Sequence, residues 1–108
     1  MREAYGALLA LWQSERASDG AVRAAMSEIA ADEAGHAELA FDVSARISTQ
    51  LNEAARERLQ QSVRAAAREL RAETARSPSA ELVSVLGLPT SQQAGALLDA
   101  LTRSIVNA

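Results

Sequence analysis

A chain of 108 residues supports one small domain with a modest core. Its 11 basic and 14 acidic residues leave a formal charge of -3, so no basic field invites nucleic acid. No apolar run reaches the roughly 18 residues of a membrane span, and the absence of cysteine excludes disulfides, thiolate metal ligands and a cysteine nucleophile.

Abundant alanine, scarce aromatics and prolines confined to Pro78 and Pro89 favour helix throughout. Residues 2 to 17, "REAYGALLALWQSERA", predict a first helix. "SDG" at 18 to 20 predicts a tight turn, with Asp19 or Ser18 capping the helix that follows. That second helix spans about 21 to 47, and "STQLN" at 48 to 52 breaks it. A third is expected from 53 to 76, with Leu59, Val63, Ala66 and Leu70 at helical spacing, ended by "SPS" at 77 to 79. A short helix at 80 to 86 leads to the stop "GLP" at 87 to 89. The last helix opens on "TSQQ", where Thr90 and Gln93 fit a capping box, and runs through Leu97, Leu98, Leu101 and Ile105. The expectation is a single all-α domain over residues 1–108, without internal repeats.

Nothing at the N-terminus resembles a signal peptide, and Met1 opens straight into helical sequence, which leaves a native start and a truncation both open. On the third helix Arg64, Arg68 and Arg71 share one ridge at i, i+4, i+7. With Glu69 and Glu73 interleaved in an acidic chain, the ridge reads as a solvated face in preference to an anion site.

The second helix carries the chemistry. At about 100° per residue, Val22, Met26, Ile29, Ala40, Val43 and Ile47 fall on one side, and Glu28, Glu38, Asp42 and Arg46 on the other. Glu33 and the only histidine, His36, lie inside the apolar side, where a carboxylate is costly unless paired or bound to a cation. Spaced three residues apart, the two converge on one point. The readings of that position are a buried Glu–His pair, a Glu33 that reaches solvent through a gap in a small bundle, and half of a metal site. Gly35 between them weakens the helix and would let a neighbouring helix come close. Across a turn centred near Asp19, Glu3 lies sixteen residues before it, and Glu33 and His36 fourteen and seventeen after it. In an antiparallel hairpin the three are level, and Glu3 shares its face with the small residues Ala7, Ala10 and Ser14. One Glu opposite Glu-x-x-His is half of a carboxylate-bridged di-metal arrangement in helix bundles.

The stretch "IAADEAGHAELA" resembles the "IA-x-DE-x-x-H-x-x-LA" helix of bacterial ferritin-like domains in the rubrerythrin-related branch of the ferritin-like superfamily. "REAYGALLALWQ" resembles the helix that bears the other glutamate, so the likeness covers residues 2 to about 47. It implies a ferritin-like hairpin followed by additional C-terminal helices. It implies Glu3 as the lone-helix ligand, Glu33 as the bridging carboxylate and His36 as the terminal imidazole of a di-iron or di-manganese centre. Such centres serve ferrous oxidation, peroxide reduction or oxygen activation. The chain departs from that family in carrying one half-site only. A homodimer would complete a four-helix bundle and double Glu3, Glu33 and His36. The alternatives are a missing N-terminal half of the same domain, or a metal-free helical bundle with a structural or protein-interaction role. Tyr5, Leu8 and Trp12, opposite the Glu3 face, make the first helix apolar on two sides, so either a partner or the chain's own later helices must cover it.

Overall fold

The computed structural model describes residues 1–106, apart from the side chain of Ser48. Five helices follow in order: α1 (Arg2–Arg16), α2 (Gly20–Ser48), α3 (Glu53–Glu73), α4 (Ala80–Leu86) and α5 (Ser91–Val106), with no strand among the described residues. Side-chain caps set four of the five starts. Asp19 accepts from the Val22 amide at 3.0 Å, Asn52 from Ala55 at 2.8 Å and Ser79 from Leu82 at 3.3 Å. The capping box forms as expected: Thr90 Oγ1 accepts from the Gln93 amide at 3.2 Å while Gln93 Oε1 accepts from the Thr90 amide at 3.0 Å. Each such cap stabilises its helix by about 1 kcal/mol. The third helix stops three residues short of the expected 76, because Thr74 turns its hydroxyl back onto the Leu70 carbonyl at 2.9 Å and competes for the last-turn acceptors.

Helices α1 and α2 form an antiparallel hairpin joined by three residues, with Ala17 and Asp19 extended. Small side chains line its seam, with Ala10 and Ala30 buried. Helix α3 packs on α5, and the two pairs meet where Tyr5, Leu70 and Leu98 are buried together, flanked by Met1, Leu9, Leu97 and Leu101. The chain's own α3 and α5 therefore cover the Tyr5 side of α1. Trp12 is half-buried, with the Arg16 guanidinium 3.4 Å over its ring. Across the same junction Arg2 makes a two-pronged contact with Glu73, whose carboxyl is held below the usual carboxylate range by that hydrogen bond.

The short α4 is a clamp on the hairpin turn. Its last carbonyls would lack intrahelical partners. Ser84 O accepts from the Ser18 amide at 2.9 Å, Val85 O from Asp19 at 3.4 Å, and Leu86 O from the buried Gln13 side chain at 3.0 Å. Gly87 then reverses the chain in the left-handed region, at φ 68 and ψ 25, directly against Ala17.

Helix α2 is far longer than its partner, about 44 Å at 1.5 Å per residue, and sets the long axis of a 48 × 27 × 15 Å molecule. Helix α1 reaches only its first half, and residues 38–47 are exposed throughout. The accessible surface of 7027 Å² exceeds the roughly 5,800 Å² typical of a monomer of this mass. The radius of gyration, 15.3 Å, likewise exceeds the roughly 13 Å expected for this length.

Candidate functional site

The hairpin sets the register of the three sequence-selected residues. Glu3 stands thirteen residues from the α1 end at Arg16, and Glu33 thirteen from the α2 start at Gly20. Both therefore lie about 20 Å along the hairpin from its turn, with His36 roughly 4.5 Å further. The helix breaks at 17 to 19 produce this level placement, because any lengthening of the connection on one side would slide one helix past the other.

The apolar side of α2 divides into two strips. Val22, Met26, Ala30, Glu33 and Ala37 are buried or half-buried where α1 lies over them. Beside them Ile29, His36, Ala40, Val43 and Ile47 are exposed, as is Leu39, at 64 % of its surface. Periodicity placed Val22, Met26 and Glu33 on one face with Ile29, His36, Ala40, Val43 and Ile47; packing covers only the first group, because α1 is half as long. Glu33 thus belongs to the covered strip and His36 to the open one, while Glu3 is exposed at the start of α1. Glu28, Glu38, Asp42 and Arg46 face solvent as their periodicity predicts.

Among the described residues none of Glu3, Glu33 and His36 finds a side-chain hydrogen-bond or ion-pair partner. The buried Glu–His pair weighed from sequence is therefore not formed within the single chain. Among the described residues no three His, Cys, Asp or Glu side chains gather closely enough to hold a metal ion. Nor does the chain use Gly35 for close approach, since a Cβ there would meet nothing within 4 Å. The three side chains are level along the hairpin and uncommitted, but not clustered. Their donor set, two hard carboxylates and an imidazole, suits iron or manganese better than a soft thiophilic metal.

A second polar feature involves the arginine ridge of α3, which reads from sequence as a solvated face. Between α3 and α5 run two adjoining grooves of about 260 and 270 Å³, which share Arg64, Asp99 and Thr102. The ridge of Arg64, Arg68 and Arg71 forms one wall and Arg103 with Asp99 the other. Asp99 and Arg103, four residues apart and the two charged residues of α5, were the further signal; only the docking of α5 on α3 sets them opposite the ridge.

No known family model matches the chain, and it has no match among curated proteins or solved structures.

Proposed function

We propose that this chain is a ferritin-like helical domain that holds a dinuclear iron or manganese centre, with Glu3, Glu33 and His36 as one half of the ligand set and a second copy of the chain supplying the other half. The observation that carries it is the common height of these three side chains on the α1–α2 hairpin, with none of them spent on another partner. A surface excess of about 1,200 Å² over a typical monomer supports association, since a standard interface buries about 800 Å² on each side. The exposed strip through Ile29, His36, Ala40, Val43 and Ile47 lies beside Glu33, so a helix laid along it would enclose that carboxylate and the imidazole together. The same enclosure follows if a missing N-terminal half of the domain takes the place of the second copy.

Glu33 would serve as the shared carboxylate and Glu3 and His36 as terminal ligands, the roles that the family resemblance implies, together with the same residues of the second copy. When bound, the metal pair supplies the electrons or Lewis acidity for oxygen or peroxide chemistry. The test is metal analysis of protein purified without chelator and then incubated with ferrous or manganous ion, alongside its mass in solution. About two metals per dimer are expected, lost in Glu33→Ala and His36→Ala. Protein that stays metal-free after aerobic incubation with ferrous ion rules the centre out.

The exposure of Glu3 and His36, and the lack of a metal-sized cluster among the described residues, favour a second reading. Here the chain is a metal-free bundle whose open strip binds a helical partner. Association would then be indifferent to chelator, and Glu33→Ala and His36→Ala would have no metal-dependent effect.

A further inference from the structure

We propose that the groove between α3 and α5 is a binding site for a small molecule bearing an oligophosphate group. The site is independent of the metal reading and lies on the other helix pair. Four arginines and one aspartate line it, a local charge of +3 in a chain of net charge -3, so the rest of the molecule carries -6.

The arginines differ in their commitments. Arg71 is anchored, its guanidinium donating to the Asp99 carboxylate and, at 3.2 Å, to the Gly95 carbonyl. Among the described residues Arg64, Arg68 and Arg103 find no ion-pair or hydrogen-bond partner. Arg64 and Arg68 repel each other one turn apart on α3, and Asp99, the carboxylate that lines the groove, is paired with Arg71 instead. A bound anion would relieve that repulsion. The Thr102 hydroxyl donates its proton to the Leu98 carbonyl at 2.7 Å and so offers the groove a lone pair, which leaves the guanidinium groups as the donors to a ligand.

The geometry selects the ligand class. Guanidinium forks match phosphoryl oxygens two at a time. From Arg64 to Arg71 the ridge extends about 10 Å along the helix, more than one tetrahedral anion spans, so several linked charges in a row are required. Leu98, nearly fully buried, and Ala67 form an apolar floor on which the body of such a molecule rests.

Calorimetric titration with tripolyphosphate at low salt tests the proposal. Saturable one-to-one binding is expected, at least about tenfold tighter than inorganic phosphate and weakened at least about tenfold in Arg64→Gln/Arg68→Gln. Arg103→Gln, on the opposite wall, is expected to weaken it as well, whereas Arg46→Gln, outside the groove, leaves it unchanged. All four side chains are exposed, and unchanged circular dichroism verifies that each variant is folded. Absence of saturation overturns the proposal, as do equal affinity for citrate or a glutamate-rich peptide and indifference to the double substitution. The same titration of Glu33→Ala is expected to match the unmodified protein, which separates failure of this site from failure of the metal centre.

Discussion

Gly87→Ala strikes the point where the end of α4 is clamped on the α1–α2 connection. At φ 68 the backbone is left-handed, which costs an L-residue roughly 1–2 kcal/mol. The added Cβ would also lie 2.5 Å from the Ala17 nitrogen, 2.9 Å from its Cα and 3.0 Å from the Arg16 carbonyl carbon. These are backbone atoms at the end of α1, so no rotamer change relieves the overlap. The α4 terminus must withdraw, stretching the bonds from Ser18, Asp19 and Gln13 to its carbonyls, and overpacking of this kind costs roughly 1–3 kcal/mol. The expected loss is about 2–5 kcal/mol, a large fraction of the roughly 5–15 kcal/mol that holds a domain folded. Urea unfolding followed by circular dichroism measures it, with a fall in Tm of roughly 10 °C or more in a thermal scan. Gly6→Ala is the control: it lies within α1 with nothing within 4 Å of a Cβ, and is expected to gain about 0.5–1 kcal/mol. A Gly87→Ala protein within about 0.5 kcal/mol of the unmodified chain would refute the close approach and the clamp built on it.

Two further outcomes are expected. Burial raises the Tyr5 phenol above its ordinary 10.0, so the unfolded chain ionises first; the contribution is complete below that pH and is lost as pH rises through the folded value. With no lysine or cysteine in the chain, the phenolate absorbance is expected to develop together with loss of helical signal, and a phenolate formed at 10 with helices intact contradicts the burial. Leu39→Glu and Val43→Glu place charge on the open strip of α2, where the single chain buries neither side chain. Monomer stability is expected to change by no more than about 0.5 kcal/mol while self-association weakens, and dimers unaffected by both changes would locate the interface elsewhere.

The local architecture was legible because its determinants are local. Asp19 capping α2, the Thr90–Gln93 box and the stop at Gly87 each depend on residues within one turn, and the three-residue connection at 17 to 19 suffices to bring Glu3 and Glu33 level. Thr74 shows the limit of even this: its hydroxyl competes with the helix ladder, a choice that propensity does not weigh.

Sequence by itself determined an all-helical chain, the ends of most of its helices, and a glutamate and histidine on the apolar side of the second one. Periodicity establishes which side chains share a face, since it follows from the pitch of one helix. Whether that face is covered is a relation between helices, and only the tertiary structure decided it. The short α1 covers Glu33 and leaves His36 open, α3 and α5 take the Tyr5 side of α1, and docking of α5 turns an ordinary arginine ridge into one wall of a groove.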